Sequence, residues 1–429
     1  MNKPDRILTD AASYRAERPL VRVNGRAYAW PKHPAVVICF DGCDPAYIES
    51  ASAAGAIPAI DRMRREGFAA SALAAMPTFT NPNNVSIVCG VSPAVHGVSG
   101  NFYLDRDSGA EIMMVDATPL RAPTILAAFS QAGAKVAAVT AKDKLRRALG
   151  HGLDGIAFSA EKADEATDAE NGISAIGALV GRGAPDQYSA DLSLFVLDAG
   201  IRLLETRRPN LIYLSLSDYV QHKHAPDAPE AIAFMGAVDQ RLAKLVALGA
   251  SVGIVADHGM NDMADPSGEP NVVYLGDLLD AAFGAGAARV ICPITDPFVR
   301  HHGALGGFVR VHLQRTEPSI TTVLNFIRQI PGVSMATSRE EACLRFELPE
   351  DREGDIAVVA RSGVALGGHA SDHDLSQLSG ERLRSHGGLA EQVVPFILSH
   401  PLKAERVEGR GKPLRNYDVF SVLLNDMEV

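Results

Sequence analysis

The sequence has no long hydrophobic run and no segment with the features of a secretory signal. Its uninterrupted apolar stretches all fall well short of the roughly 20 residues that cross a bilayer. Residues 1–20 carry charges throughout, unlike the apolar core of a signal peptide. We therefore expect a cytoplasmic protein without a membrane partner.

Cysteine is scarce, and its spacing excludes two classes of small stabilised domain. The chain has five cysteines, an odd number, and none of them forms a CxxC pair. Such spacing argues against a disulfide framework and against a zinc ribbon. Reduced thiols that act as small buried apolar side chains fit better. They are Cys39, Cys43, Cys89, Cys292 and Cys343.

Acidic side chains outnumber basic ones in this sequence. The 41 lysines and arginines stand against 51 acidic residues, for a net charge of -10. Nucleic acid or an anionic lipid surface is therefore excluded as the main partner. A small anionic ligand would have to be held by positive charges placed locally. The 47% hydrophobic and 21% charged residues are typical of a folded globular protein.

Short apolar runs alternate with segments of helical length over most of the 429 residues, which predicts an α/β fold with a mostly parallel sheet covered by helices. Strands buried on both faces read as continuous apolar runs. The clearest predicted strands are 35–40, 135–140, 211–216 and 251–256. The predicted helices are 122–132, 191–206 and 228–248.

The pattern changes after residue 264. A stretch rich in glycine and alanine leads into FVRVHLQ, LRFELP and GDIAVVAR, which indicate antiparallel strands, and TTVLNFIRQI, which indicates a helix. We interpret residues 265–373, called the insertion below, as a small α+β unit. Beyond it, VVPFIL is one more strand candidate that could rejoin the main sheet.

Acidic residues follow three of the predicted strands where each strand ends. Asp41 comes directly after the first, Asp218 two residues after the third, and Asp257 directly after the fourth, with His258 next to it. Ligands bind at the carboxyl edge of open α/β sheets, so we expect these side chains to lie together. One such aspartate alone would more often be a helix cap or a turn residue. Three with neighbouring histidines indicate a metal site.

Further histidines and a glycine support this interpretation. His222 lies four residues after Asp218, so a helical turn would place both on one face. Gly259 would give the backbone freedom to turn its two preceding side chains toward a common point. His386 stands before two glycines in a segment without apolar periodicity. Three aspartates and three histidines suit zinc better than magnesium or manganese.

Other histidines are alternative ligands on counting grounds, although a lone loop histidine is more often a surface residue. They are His96, His301, His302, His369 and His373. His369 and His373 are four residues apart, as Asp218 and His222 are, and either could be the ligand in place of His386.

A hydroxyl nucleophile is the next requirement. Thr80 precedes Asn81-Pro82 at a point where a helix could begin, and unpaired amide donors there favour a negative group. Thr80 alone would more often be a helix cap. A nearby metal site favours a catalytic role for Thr80, because a metal-bound hydroxyl loses its proton easily. Ser86 and Thr78 are weaker competitors.

Taken in order, these motifs resemble the two-zinc alkaline phosphatase superfamily, in its nucleotide pyrophosphatase/phosphodiesterase-like branch. The matching motifs are the strand end with Asp41, TFTNPNN with Thr80, the DxxxH of Asp218 and His222, the DHG of Asp257 and His258, and the late His386. The resemblance covers residues 35–264 and 374–400. It implies an alkaline-phosphatase-like core formed by residues 1–264 and 374–429, with the insertion as a smaller cap domain.

The resemblance also implies the cofactors and the role of each ligand. It implies two Zn²⁺ per chain, one held by Asp41, Asp257, His258 and the Thr80 oxygen, and the other by Asp218, His222 and His386. Asn101 corresponds to the asparagine that donates to a phosphoryl oxygen in this branch.

Charge counting narrows the substrate. Two Zn²⁺ supply four positive charges, while three aspartates and a Thr80 alkoxide remove four, so a small trianion needs further cations. Lys142 and Lys144 follow a predicted strand at the same sheet edge, and His224 lies two residues after a predicted ligand. Each lysine alone could equally start a solvated helix. TAKDKLR with His224 resembles members of this branch that cleave carboxylated phosphonates, which implies a carboxylate clamp.

The resemblance implies zinc-dependent hydrolysis of the P–C bond of phosphonoacetate, giving acetate and phosphate through a phosphothreonine at Thr80. A phosphodiesterase or phosphomonoesterase of the same superfamily is the alternative within enzymes. A zinc-binding protein without turnover is the alternative outside them, although a structural zinc site needs no hydroxyl nucleophile. The expected partner is a small anionic phosphonate, and the assembly state stays open, with a homodimer as one option.

Overall fold

A computed structural model of the chain describes residues 19–106, 108–296, 302–378, 380–404 and 412–428. The strands in these ranges are β1 (Val21–Val23), β2 (Arg26–Tyr28), β3 (Ala35–Cys39), β4 (Phe68–Leu73), β5 (Phe102–Leu104), β6 (Glu111–Met113), β7 (Val136–Thr140), β8 (Ile156–Ser159), β9 (Leu211–Ser215), β10 (Ser251–Val255), β11 (Asn261–Asp262), β12 (Val272–Tyr274), β13 (Ala288–Ile291), β14 (Phe308–Leu313), β15 (Val333–Ser338), β16 (Ile356–Ala360), β17 (Ala365–Gly367), β18 (Arg384–Ser385) and β19 (Val393–Leu398).

The α-helices of the same ranges are α1 (Pro45–Ala53), α2 (Pro58–Glu66), α3 (Thr80–Cys89), α4 (Pro93–His96), α5 (Ile125–Gln131), α6 (Asp143–Leu149), α7 (Asp168–Asn171), α8 (Ile176–Val180), α9 (Asp191–Thr206), α10 (Tyr219–Lys223), α11 (Pro229–Ala247), α12 (Leu275–Phe283), α13 (Ile320–Ile327), α14 (Arg339–Phe346) and α15 (Val419–Ser421). Short 3-10 turns occur at Ala163–Glu165, Glu350–Arg352, Ala370–Asp372, Ser376–Leu378 and Asn416–Asp418, and a π turn at Val422–Asp426.

The main sheet has seven strands in the order β4-β19-β10-β3-β9-β7-β8. The five strands from β10 to β8 run parallel, whereas β19 and β4 are antiparallel at one edge. The mostly parallel α/β sheet expected from the sequence is therefore confirmed, and VVPFIL does rejoin it as β19.

Helices enclose this sheet. The strands β3, β7, β9 and β10 are buried at every position, which requires cover on both faces. Helix α11 packs against α9, α1 and α2, while α3 packs against α5 and α6. The expected helices are α5, α9 and α11. All five cysteines are free and buried.

The insertion contains a sheet of its own, in the order β13-β14-β16-β15, with every neighbouring pair antiparallel. Helices α12, α13 and α14 pack on this sheet. A second hydrophobic cluster fills the space between them, and it also includes Phe79, the residue before Thr80. The insertion thus packs directly behind the predicted nucleophile.

One sequence expectation in the insertion is wrong. The segment LRFELP was predicted as a strand, but Leu344 to Phe346 form the last turn of helix α14. Ser338 caps the start of that helix by accepting a hydrogen bond from the Glu341 backbone N–H (3.4 Å), a start signal that outweighs the short apolar alternation. Of the helices that the structure describes, none combines the length and apolar character needed to cross a membrane.

Candidate active site

Three carboxylates meet at the carboxyl edge of the parallel strands. Asp41 follows β3, Asp218 lies just beyond β9, and Asp257 follows β10. The strands are adjacent and in register, with Cys39 opposite both Ser215 and Val255, so the residues after them emerge side by side.

Asp218 and His222 lie on consecutive turns at the start of α10. The His222 backbone N–H donates to the Asp218 carbonyl (3.0 Å), which closes a helical turn. His222 Nε2 then lies 2.8 Å from Asp218 Oδ2, so the predicted shared face is confirmed. Burial opposes ionisation of Asp218, but the contact with His222 outweighs it and holds the pKa of this carboxyl well below its usual value.

His258 and His386 come from distant segments and stack face to face. Their ring centroids are 3.6 Å apart and the ring planes differ by 8°. Short strands β11 and β18 pair just beyond His258 and just before His386, which brings the two segments together. Burial lowers the pKa of His386 well below its usual value, as does the neighbouring His258.

The glycines that directly follow His258 and His386 are required for different reasons. A Cβ on Gly259 would lie 2.6 Å from Asp44 Oδ2, so Gly259 is needed for close packing rather than for the backbone freedom expected from sequence. Gly387 has φ +124°, and a Cβ there would lie 2.3 Å from the Phe79 ring. A larger residue would collide with the Asp44 carboxylate at position 259 and with the Phe79 ring at position 387.

Each of these imidazoles is oriented by a hydrogen bond from Nδ1 to a backbone carbonyl. The acceptors are Arg384 O for His222 (2.7 Å), Gly259 O for His258 (2.8 Å) and Thr78 O for His386 (2.8 Å). A carbonyl only accepts, so each Nδ1 carries a hydrogen, and in the neutral ring the lone pair is on Nε2. Metal-binding histidines are held in this way.

The carboxylate of Asp257 is held by surrounding donors. Its Oδ1 accepts from the backbone N–H groups of Gly42 (3.2 Å) and His258 (3.1 Å), and its Oδ2 accepts from Asn84 Nδ2 (3.0 Å). Asp41 Oδ1 is buried without a hydrogen-bond partner. Burial raises the pKa of Asp41, and the neighbouring Asp218 carboxylate raises it further.

These residues fit divalent metal ions. Carboxylate and imidazole atoms of Asp41, Asp257 and His258 lie within 4.8 Å of one another, as do those of Asp218, His258 and His386. Buried like charges and an unpartnered carboxylate oxygen are unfavourable unless a cation compensates them. The oxygen and nitrogen donor set is one that zinc accepts.

Thr80 stands at the first position of α3, as the sequence predicts, and its Oγ1 is 3.1 Å from His258 Nε2. The competing hydroxyls are engaged elsewhere. Thr78 Oγ1 donates to Gly388 O (2.8 Å), and Ser86 Oγ lies 2.8 Å from His96 Nε2. Of these three candidate hydroxyls, Thr80 is therefore the one that lies beside the candidate metal ligands.

A cavity of about 600 Å³ opens over this site. The predicted site residues that line it are Asp41, Thr80, Asn101, Lys142, Lys144, Asp218, His222 and His386. Asp257 and His258 are buried beneath it. Asn101 Nδ2 donates to Ile294 O (3.2 Å), whereas its Oδ1 is buried without a partner.

The two lysines line one wall of this cavity. Lys142 Nζ donates to Gln187 O (3.2 Å) and lies 5.4 Å from the centre of the Tyr188 ring. Lys144 forms an ion pair with Asp296 of the insertion. The positive charge expected at the sheet edge is present, but one lysine already has a carboxylate partner.

Sequence reasoning gave no role to Asp296 and treated His302 only as a counted alternative ligand. Both line the cavity, and both come from the connection between β13 and β14. The Ala304 N–H donates to His302 Nδ1 (3.1 Å), so the neutral ring carries its hydrogen on Nε2. Burial lowers the pKa of His302 to about 3. No periodicity or motif marks this connection in the sequence.

Within the described residues, the other histidines considered as candidates from the sequence are not among the residues that line the cavity. Among them is His224, whose Nδ1 is 3.8 Å from Glu230 Oε2. His373 Nδ1 donates to Gly303 O (2.7 Å), and His369 Nε2 is 3.1 Å from Asp280 Oδ2. His96 is buried beside α3, and His301 lies outside the described residues.

Comparison with known proteins agrees with this geometry. The model of the family "Type I phosphodiesterase / nucleotide pyrophosphatase" matches residues 35–388. Two structures of phosphonoacetate hydrolase from Sinorhizobium meliloti 1021, one in complex with phosphonoformate and one with phosphonoacetate, are 48% identical to the chain. Each has a TM-score of 0.90 and covers 95% of this chain and 98% of that one.

More distant matches are consistent with these. A phosphonoacetate hydrolase from Penicillium oxalicum is 40% identical over 68 residues, which is 16% of this chain and 83% of that protein. Murine ectonucleotide pyrophosphatase / phosphodiesterase 5 shares the fold at 18% identity, with a TM-score of 0.61 over 93% of this chain and 96% of that one. The chain therefore belongs to the type I phosphodiesterase / nucleotide pyrophosphatase family, where it groups with the phosphonoacetate hydrolases, as the sequence motifs indicated.

Proposed function

We propose that this chain hydrolyses the P–C bond of phosphonoacetate to acetate and phosphate, with two zinc ions and with Thr80 as the nucleophile. One observation carries the proposal. The Thr80 hydroxyl lies 3.1 Å from His258 Nε2, between carboxylates and imidazoles that fit metal ions, and the same cavity presents Lys142 and Lys144. The 48% identical relatives named phosphonoacetate hydrolase support it.

The ions would be held by the aspartates and histidines described above, one by Asp41, Asp257 and His258 together with Thr80, and the other by Asp218, His222 and His386. Bound zinc would act as a Lewis acid on phosphoryl oxygens and favour ionisation of a hydroxyl. Because each Nδ1–H is bonded to a carbonyl, the neutral imidazoles would bind the ions through Nε2 without a change of tautomer.

The chain's own residues would then act as follows. The Thr80 hydroxyl loses its proton and its oxygen attacks phosphorus. The P–C bond breaks, its electron pair leaves with the acetate carbon, and that carbon gains one proton, so protons balance over the step. Negative charge on the leaving group spreads into its carboxylate, which the Lys142 and Lys144 ammonium groups stabilise. The Asn101 amide would donate to a phosphoryl oxygen. Water then attacks the phosphothreonine from the opposite side, which releases phosphate and restores Thr80.

We also propose that the insertion, residues 265–373, is a cap domain on a core formed by residues 1–264 and 374–429. Ile294, Asp296 and His302 of the insertion line the cavity, so this segment covers the site and limits the access of water. A cytoplasmic location, supported by five reduced thiols, and a homodimer remain our proposals from the sequence. Light scattering of the purified protein tests the homodimer.

A phosphodiesterase or phosphomonoesterase activity is the second candidate, and the family match over residues 35–388 favours it. The two functions differ in the leaving group. The leaving group of a phosphate ester has no carboxylate, so cleavage of an ester needs no cation beside it. The leaving group of phosphonoacetate has one, so the proposed phosphonatase needs such a cation. An aryl phosphate diester is the substrate that separates them.

Phosphate release from phosphonoacetate by the purified protein is the primary test. We expect turnover with zinc, loss of turnover after treatment with a zinc chelator, and recovery when zinc is returned. An aryl phosphate diester is assayed in parallel. Efficient cleavage of the diester with no phosphate from phosphonoacetate would contradict the proposal and favour the second candidate.

A further inference from the structure

We propose that Glu391 is a positioning residue that fixes the segments of His258 and His386 relative to each other. The inference rests on the proposed metal site. Glu391 is 2% exposed and does not line the cavity. It belongs to none of the motifs of the site, and it lies just before β19.

Both oxygens of this carboxylate are used, one on each segment. Glu391 Oε2 accepts from the backbone N–H of Gly388 (2.8 Å), two residues after His386. Glu391 Oε1 accepts from Asn261 Nδ2 (3.1 Å), three residues after His258. A carboxylate can accept several hydrogen bonds at once, which a neutral amide in the same place cannot do with both of its ends.

The backbone of Glu391 adds a third connection. Its carbonyl accepts from the N–H of Gly259 (2.8 Å), the residue directly after His258. The strands that otherwise join the two segments, β11 and β18, are only two residues each, with Asn261 opposite Ser385. A ladder this short constrains position weakly. The hydrogen bonds of Glu391 therefore add to the constraint on how the segments are placed.

Two glycines, Gly388 and Gly307, pack closely against the Glu391 carboxylate and limit its movement. A Cβ on Gly388 would lie 3.2 Å from Glu391 Oε2, and one on Gly307 would lie 3.3 Å from it. Gly307 N–H in turn donates to His386 O (2.9 Å). A buried carboxylate is costly compared with an apolar side chain of similar size, so a role in filling space alone does not account for a glutamate here.

The stacked imidazoles would transmit the effect to the metals. His258 and His386 lie at a ring separation of 3.6 Å, and the proposed zinc ions each use one of them. A shift of either segment changes the distance between the two ligand sets. Outer residues that orient metal ligands typically change metal affinity by about 10- to 100-fold when they are altered.

The test is zinc affinity, measured by competition with a chromogenic chelator, for the wild type and for Glu391→Gln. We expect Glu391→Gln to bind zinc about tenfold more weakly. Its kcat should fall at limiting zinc and recover in excess zinc, with an unchanged KM for phosphonoacetate. Glu66→Gln removes an exposed glutamate that pairs with Arg62 on α2 and should match the wild type.

Asn261→Ala provides a second variant that removes one connection and keeps Glu391, so it remains informative if Glu391→Gln fails to fold. We expect a smaller loss of zinc affinity, about threefold. Wild-type zinc affinity in both variants, with only lower thermal stability, would overturn the inference and leave the proposed function intact. A wild-type protein that binds no zinc would instead overturn the proposed function together with this inference.

Discussion

The active-site cavity has two walls of different origin. One wall comes from the core, where the ligands stand at the ends of β3, β9 and β10 and at the start of α3, and backbone carbonyls orient the imidazoles. The second wall, called the recognition wall below, combines Lys142 and Lys144, which follow β7 of the core, with Asp296 and His302, from a connection in the insertion. The core wall carries the groups that would act on phosphorus, and the recognition wall lies where the rest of the substrate would bind. On the proposed function, the reaction would thus depend on the core alone, whereas recognition of the substrate would be shared between the core and the insertion.

The largest effect is expected on the core wall. Thr80→Ala should lower phosphate release from phosphonoacetate by at least about 10³-fold, because no other hydroxyl replaces the attacking oxygen. Zinc content should stay near that of the wild type, since the aspartates and histidines remain. Phosphate assays and metal analysis on the same preparation measure both quantities.

Thr80→Ser is the matched variant, and we expect it to keep part of the activity because it retains a hydroxyl. Rapid quenching of the wild type should trap phosphate on Thr80. Turnover by Thr80→Ala at the wild-type rate would remove Thr80 from the reaction.

The lysines test whether the recognition wall binds the carboxylate. Lys144→Ala and Lys142→Ala should each lower kcat/KM for phosphonoacetate by about 10- to 100-fold, the value of a lost hydrogen bond to a charged group. Cleavage of an aryl phosphate diester, which has no carboxylate, should change much less. Equal losses on both substrates would show that the lysines serve the core reaction and that the walls are not separate in function.

Much of the core wall could be predicted from the sequence. Continuous apolar runs located β3, β7, β9 and β10 to within a residue or two, and the aspartates followed because they end those strands. Strand β4 was missed because FAASAL contains few large apolar residues and three of its positions are half-buried and two exposed. Strand β8 is only four residues long. Local periodicity carries too little information for such elements.

The recognition wall could be predicted only in part. Lys142 and Lys144 follow β7, so the same strand-end argument located them. Asp296 and His302 occupy a connection whose place depends on how the insertion packs against Phe79, and no short-range pattern records this. Glu391 is likewise defined by its contacts in three dimensions rather than by its neighbours in sequence.

A smaller effect, on the stability of the protein, is expected for a buried histidine that contacts α3, the helix that begins with Thr80. His96 is buried beside α3, where the Val98 N–H donates to its Nδ1 (3.2 Å) and its Nε2 donates to Ser86 Oγ (2.8 Å). Burial lowers the pKa of His96 to about 3. Between the usual value of 6.5 and about 3 the unfolded chain binds a proton that the folded chain does not, so stability is lost as the pH falls.

For His96 this loss amounts to about 2 kcal/mol between pH 8 and pH 5. Urea denaturation in the presence of a zinc chelator, which removes any contribution from metal release, measures it. We expect His96→Gln to be less stable than the wild type at pH 8 but to lose about 2 kcal/mol less on going to pH 5. The same pH dependence in both proteins would show that His96 is protonated in the folded state.

The smallest effect separates two histidines that could serve the recognition wall. The sequence assigned His224 to the carboxylate clamp, whereas the cavity is lined by His302, whose neutral ring carries its hydrogen on Nε2. One neutral hydrogen bond is worth about 1 kcal/mol, so His302→Gln should raise KM for phosphonoacetate about fivefold with little change in kcat. His224→Ala should change KM by less than about twofold, because its ring lies beside Glu230. The reverse ranking would return the clamp to His224 and place recognition entirely on the core, which would end the division between the two walls.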